Sequence, residues 1–290
     1  MLRLIALVLI VAFAGDNSLA KLHIMTTTAN LKSLVSEIAG DRAEVESFCL
    51  GPQDPHFLEA KPSYTLKASK ADLLVSVGMD LEVGWLPLII RGARNPKIRE
   101  GQSGHLVLGH YVDAIEKPHG EVSRADGDVH PEGNPHFMLS PKRVVKLAEV
   151  VSAKLTEIDP EGKEFFESNK IKFLKKIEPF VQKKISKIEV VTHHKTLNYF
   201  LHDYGLDNSI YLEPKPGIPP SATHVLSVIE QAKVKKANIV LVENYFDQSA
   251  GQKVAKALDI KSYSVPVAVG GKEGISNLFD LYSDLFSYFK

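Results

Sequence analysis

The 290-residue sequence holds a single cysteine, Cys49. A disulfide scaffold, a thiolate zinc site and a cysteine-ligated iron–sulfur cluster all need more sulfur than that. Excess charge of either sign is missing too, because 35 Lys and Arg stand against 35 Asp and Glu. The basic footprint of a nucleic-acid binder is therefore absent. The apolar run at the amino terminus, Leu4 to Ala14, is about 11 residues long, whereas a membrane-spanning helix needs about 20. What the chain does have is 11 histidines. With sulfur set aside, any bound metal must be held by imidazole and carboxylate. A composition of 44% hydrophobic and 24% charged residues is that of a folded globular protein. The length allows one large or two modest domains.

Residues 1–20 have the form of a secretory signal. Arg3 gives a short positive start, Leu4 to Ala14 the apolar segment, and Ser18-Leu19-Ala20 the small residues before a cleavage point near Ala20. No cysteine follows this run until Cys49, so a lipoprotein anchor is not expected, and the protein is expected to be exported to the periplasm. From Lys21 onward, short apolar runs alternate with helical spacing. Leu22 to Thr27, Ala43 to Cys49 and Leu73 to Gly78 read as strands. Leu31, Leu34, Val35 and Ile38 mark a helix stopped at Gly40, and further helices are expected over Ser63 to Lys70 and Asp80 to Ala93. The alternation recurs with strands at Ile188 to Thr192, Ser209 to Leu212 and Ile239 to Val242, and helices ending at Tyr204 and beginning at Ser221 and Gln248.

This pattern predicts an α/β fold of two lobes, each with a parallel sheet flanked by helices. Between them, residues 159–186 carry helical apolar spacing from Phe166 to Ile185 and open on Asp159-Pro160, a cap followed by a first-turn proline. They are expected to form a long linking helix, bent or broken near Glu178 by Pro179. The lobes would then span 21–158 and 187–290.

Candidate chemistry follows from this topology. In open parallel sheets, ligands sit outside the carboxyl ends of the strands. Asp54-Pro55-His56 follows one expected strand and His193-His194 follows another. Asn134-Pro135-His136 closes a long aperiodic connection, Gly109 to Asn134, and precedes a helix opened by Ser140-Pro141. Three histidines plus a carboxylate or water complete the tetrahedron that Zn²⁺ takes. Ca²⁺ and Mg²⁺ would require oxygens instead.

The ordered set of motifs resembles the metal-binding receptors of zinc and manganese ABC importers, solute-binding proteins with a rigid helical spine. The resemblance rests first on Asp54-Pro55-His56, Pro62-Ser63, Lys70-Ala71-Asp72-Leu73, Gly78-Met79-Asp80-Leu81-Glu82 and Trp85-Leu86. It continues through Asn134-Pro135-His136-Phe137, Ser140-Pro141, Val191-Thr192-His193-His194, Tyr199-Phe200 and Tyr204-Gly205-Leu206. Glu213-Pro214, Gly217 and Pro220-Ser221-Ala222 complete it. It implies metal ligands at His56, His136 and His194, the last chosen over His193 by its place five residues before Tyr199. It also implies capture of Zn²⁺ for an inner-membrane ABC permease by a monomer without enzymatic activity. A manganese or iron(II) receptor of the same family is the nearest alternative. Manganese-type members carry glutamate at the third position, and histidine there favours zinc.

Many members supply a fourth ligand, an aspartate, from a loop after the last strand. Here that stretch reads Ser262 to Ala268 without an acidic residue. Water, Glu243 or, less favoured, Glu59 remains for the position. His119 and His130 lie in the polar connection, where related receptors gather metal, while His202 and His224 fall on expected helices. A zinc hydrolase would share the three-histidine pattern, but the sequence has no HExxH helix.

Overall fold

The computed structural model describes residues 21–118, 120, 122, 127–206 and 209–290. The signal-like segment and His119 lie outside these residues. Among the described residues, seven strands form two parallel sheets. In the first, β1 (Leu22–Thr26), β2 (Ala43–Ser47), β3 (Leu73–Ser76) and β4 (His105–Val107) lie in the order β2-β1-β3-β4, with Ile24 opposite Val45 and Met25 opposite Leu74. In the second, β5 (Val190–Thr192), β6 (Ile239–Glu243) and β7 (Lys261–Val265) follow one another, and a single parallel bridge from Thr192 to Tyr211 extends the β5 edge. Burial on both faces explains why β3 and β5 read as unbroken apolar runs.

The helices are α1 (Ala29–Ala39), α2 (Pro62–Ser69), α3 (Leu86–Ala93), α4 (Pro141–Ile158), α5 (Lys163–Val181), α6 (Asn198–Asp203), α7 (Ala222–Lys235), α8 (Ser249–Leu258) and α9 (Leu278–Ser287). The two-sheet α/β architecture expected from the alternation is the one observed. Several boundaries differ, each for a local reason. The helix expected from Asp80 starts only at Leu86, because Met79 and Asp80 take left-handed backbone angles in a turn after β3. Residues 209–212 make one bridge rather than a strand. The stretch Ser262 to Ala268, read as loop, contains most of β7. This strand lies at a sheet edge and is largely polar, so it has no apolar run to betray it.

The expected linking helix is also shorter than 159–186. Asp159 gives both carboxylate oxygens to Arg42, at 2.7 and 2.8 Å, and a single 3-10 turn at Pro160–Gly162 precedes α5. Pro179 falls in the last turn of α5. The helix survives it by two residues and stops at Val181, where the missing proline N–H costs only one terminal bond. Moreover, α5 is no bare rod. It packs along α4 and α1, and Phe173 and Phe180 meet Phe279 of α9 at ring-centre distances of 5.4 and 6.4 Å.

The two lobes share one apolar core, in which Ile24 and Val75 of the first sheet and Leu241 and Val265 of the second join α1, α4, α5 and α9, and specific polar contacts fix its floor. The Asn30 side chain on α1 donates to the Val267 carbonyl at 3.0 Å and accepts from Val269 N–H at 2.8 Å. Leu278 N–H, at the start of α9, donates to Ser33 Oγ at 3.0 Å. Gly51 is required where the chain after β2 touches the Gly270-Gly271 backbone, since a Cβ there would fall 2.2 Å from the Gly270 carbonyl carbon. Above this floor, the carboxyl ends of both sheets face a shared space.

Candidate metal site

Both histidine–proline motifs fold as the same local device. In Asp54-Pro55-His56, the Asp54 carboxylate accepts the His56 backbone N–H at 3.0 Å and caps a 3-10 turn at Pro55–Phe57. In Asn134-Pro135-His136, the Asn134 side-chain oxygen accepts the His136 N–H at 2.9 Å. Short polar side chains that bond their own backbone two residues on make tight turns, and the intervening proline presets the backbone. Each histidine is thus presented at a fixed angle without a long element beneath it. The turns are anchored in turn. Trp85, wholly buried, donates its indole N–H to the Pro55 carbonyl at 2.8 Å. Tyr199 donates its hydroxyl to the Asn134 carbonyl at 2.8 Å and packs edge-on against Phe137. Glu82, buried after β3, accepts from the N–H groups of Val77 and Gly78 at 2.8 and 3.0 Å. His194 needs no such turn, because it leaves the end of β5 directly.

These elements bring His56, His136 and His194 together, with one ring nitrogen of each lying within 4.8 Å of the others. Ring centres are 5.2 Å apart for His56 and His136, 5.6 Å for His56 and His194, and 5.3 Å for His136 and His194. The hydrogen bonds identify the free nitrogen. His56 Nδ1 lies 2.7 Å from Asp54 Oδ1, and His194 Nδ1 lies 2.6 Å from Glu213 Oε2. Both Nε2 atoms are thus left facing the cluster, that of His56 at 3.3 Å from His130 Nε2. The Nε2 of His136 is buried and has no hydrogen-bond partner. An orphaned ring nitrogen in the interior is costly unless something occupies it. A cavity of about 40 Å³, lined in part by His130, His136, His194 and Asp128, opens on the cluster.

Electrostatics keep His136 and His194 neutral. Burial, and then the neighbouring imidazoles, push His136 well below its ordinary value. Burial followed by the proximity of His56 pushes His194 down to about 4. Burial raises Glu213 to about 7. Neutral imidazoles are the metal-binding form. A carboxylate on the far ring nitrogen fixes the tautomer and raises ligand basicity.

The remaining sequence candidates separate clearly. His193 turns away, stacked on Phe246 at 4.3 Å, with its Nε2 3.8 Å from Glu213. Glu243 ends β6 at the same edge and is buried with neither carboxylate oxygen hydrogen-bonded, yet it does not join the three-imidazole group. Glu59 is exposed. The stretch after β7 carries no carboxylate and is tied into α1 through Asn30. His202 is exposed beside Asp203, and His224 lies 3.3 Å from the Tyr211 carbonyl. His130, however, lies at the cluster, its Nε2 3.3 Å from that of His56.

A family model described as ZnuA, zinc-uptake complex component A, periplasmic, matches residues 24–288. The chain belongs to this family. It is similar to the zinc-binding lipoprotein AdcA of Streptococcus pneumoniae, with 28% identity over 262 residues that cover 88% of this chain and 51% of that protein. The chain therefore spans about half the length of that relative. It is also similar to the manganese ABC transporter substrate-binding lipoprotein PsaA of Streptococcus pneumoniae, at 25% identity over 278 residues, covering 91% of this chain and 86% of that protein. Among solved structures, a crystal structure of ZnuA superimposes with a TM-score of 0.74 at 22% identity, covering 93% of this chain and all of that one. That likeness shows the two-lobe fold.

Membership of the ZnuA family gives the motifs around the site a common meaning, since the turns, anchors and histidines all lie within the matched span. Reading residues alone missed Glu213, which sits 19 positions from His194. The signal that pointed to it was the Glu213-Pro214 match, which carried no role. Cys49, the one cysteine, is buried at the end of β2, with burial pushing its thiol up to about 12. It is a core residue.

Proposed function

We propose that this protein is an extracytoplasmic receptor that binds Zn²⁺ between its two lobes on His56, His136 and His194 and delivers it unchanged to an ABC permease of the inner membrane. The observation that carries this reading is the group of three imidazoles with ring nitrogens within 4.8 Å of one another, two of them in buried residues, the Nε2 of His136 being without any partner. Three imidazole ligands favour zinc over manganese, which prefers oxygen ligands. The names of AdcA and PsaA span both metals, so manganese or iron(II) is the second reading. In this account residues 21–158 and 187–290 are the lobes, residues 159–186 connect them, and the receptor works as a periplasmic monomer after cleavage near Ala20. The relatives are named lipoproteins, whereas this account gives the present chain no lipid on Cys49.

A zinc hydrolase needs an open coordination position with a general base beside it. Two of the carboxylates near this cluster, Asp54 and Glu213, are instead spent on ring nitrogens, and hydrolysis assays test Glu243 and Asp128, which are not. The test is elemental analysis of protein purified without added metal, followed by competition between zinc and manganese and assays on ester and phosphate substrates. One equivalent of zinc retained through gel filtration, displaced poorly by manganese and without hydrolysis, is the expected result. Preferential retention of manganese, or turnover of either substrate class, contradicts it.

A further inference from the structure

We propose that His130 is a fourth imidazole ligand of the same metal ion, presented from the polar connection between β4 and α4. This rests on the reading of His56, His136 and His194 as ligands, and it replaces the acidic residue that the segment after β7 lacks.

The geometry begins at His56. Its Nδ1 is committed to Asp54, so Nε2 holds its one available lone pair, and His130 Nε2 lies 3.3 Å away. Four nitrogens bound to a tetrahedral zinc at about 2.0–2.1 Å are themselves about 3.3 Å apart. The ring-centre distance of His130 to His56, 5.3 Å, falls within the 5.2 to 5.6 Å found among the other three. The distance from His130 to His136, 6.4 Å, is longer. To complete a regular tetrahedron the His130 ring must therefore move inward by about an ångström. The backbone of Met79 acts on the same ring as a hydrogen-bond partner, the arrangement that leaves one nitrogen for metal.

The segment that carries His130 is held by the opposite lobe. Asp128 N–H donates to the Pro216 carbonyl at 2.9 Å. Gly217 is needed at that contact, because its backbone is left-handed at φ +75° and a Cβ would lie 2.0 Å from Asp128 Oδ2. The Gly217 backbone in turn hydrogen-bonds Glu213, the partner of His194. Docking of residues 127–130 on the 213–217 segment thus positions His130 and supports His194 together. Glu59 is exposed, and Glu243 and Asp128, like His130, stand outside the group whose ligand atoms all lie within 4.8 Å of one another; His130 is singled out by its 3.3 Å approach to the His56 ring nitrogen. A ligand on a half-buried connection can be withdrawn without disturbing either sheet.

The test is zinc X-ray absorption on the full chain loaded with one equivalent of zinc, with zinc release into a chelator measured in parallel. Wild type is expected to show four imidazoles, and His130→Ala three, with stoichiometry unchanged and release at least tenfold faster. Thermal unfolding of metal-free His130→Ala should match wild type, which separates loss of a ligand from loss of fold. Three imidazoles in both proteins with equal release rates overturn the proposal, and mean that the 3.3 Å contact is only a hydrogen bond between rings. His194→Ala serves as the control on the underlying reading. If it keeps the wild-type imidazole count and release rate, the three-histidine site itself is wrong.

Discussion

Glu213 Oε2 lies 2.6 Å from His194 Nδ1, both side chains being buried at the end of β5. This bond selects the tautomer that leaves His194 Nε2 for metal. Partners of this kind contribute about 10- to 100-fold in metal affinity. Glu213→Gln is expected to weaken zinc binding within that range, measured by chelator competition, while leaving the stoichiometry at one. An unchanged affinity would show that the tautomer is fixed by something else.

Asp54 serves His56 twice, through the ring and through the backbone N–H. Asp54→Asn keeps an oxygen for the turn but loses the charge, whereas Asp54→Ala loses both bonds. The alanine variant should therefore lower zinc affinity more than the asparagine variant, and it alone should cost about 1 kcal/mol of metal-free stability from the lost cap. Equal effects of the two variants in denaturant titrations would contradict this division.

Tyr199 ties the Asn134-Pro135-His136 turn to the second lobe. Tyr199→Phe retains the packing against Phe137 and removes the hydroxyl, leaving the buried Asn134 carbonyl without that donor. The expected loss is about 1–3 kcal/mol of stability, together with faster zinc release. Calorimetric unfolding and stopped-flow chelation measure the two effects.

The pH dependence follows from the depressed His194. Its folded value is about 4, whereas an unfolded histidine titrates near 6.5. Between these values the unfolded chain binds a proton that the folded chain does not, so this residue makes stability fall as pH drops from about 6.5 to about 4. Glu213, raised to about 7, acts in the opposite sense, weakening the fold as pH rises toward that value. The contribution of His194 is isolated by comparing metal-free wild type with His194→Gln. The variant should lose less stability across this window, and parallel profiles would refute the assignment.

How much of this was legible in the sequence depends on how local each feature is. The motifs Asp54-Pro55-His56 and Asn134-Pro135-His136 encode their own turns, and His194 follows a buried strand. A topological rule was therefore enough to place them on one edge, while the choice of His194 over His193 came from the resemblance, through the position of Tyr199. The buried runs of β3 and β5 gave the two parallel sheets for the same reason. Strand β4 is only three residues long, and β7 is polar because it forms an edge, so neither leaves an apolar pattern. The role of Glu213 and the approach of His130 to His56 depend on how segments distant in the chain fold back on one another within each lobe. Residue spacing carries no trace of that distance.

The central claim is that His56, His136 and His194 hold one metal ion, and zinc-dependent thermal unfolding of wild type and the three single alanine variants tests it most directly. At a thousandfold excess over the dissociation constant, zinc should stabilise wild type by about 4 kcal/mol, and each variant should lose most of that gain at the same zinc concentration. Full zinc stabilisation retained in His136→Ala, whose ring nitrogen is the one left without a partner, would contradict the account.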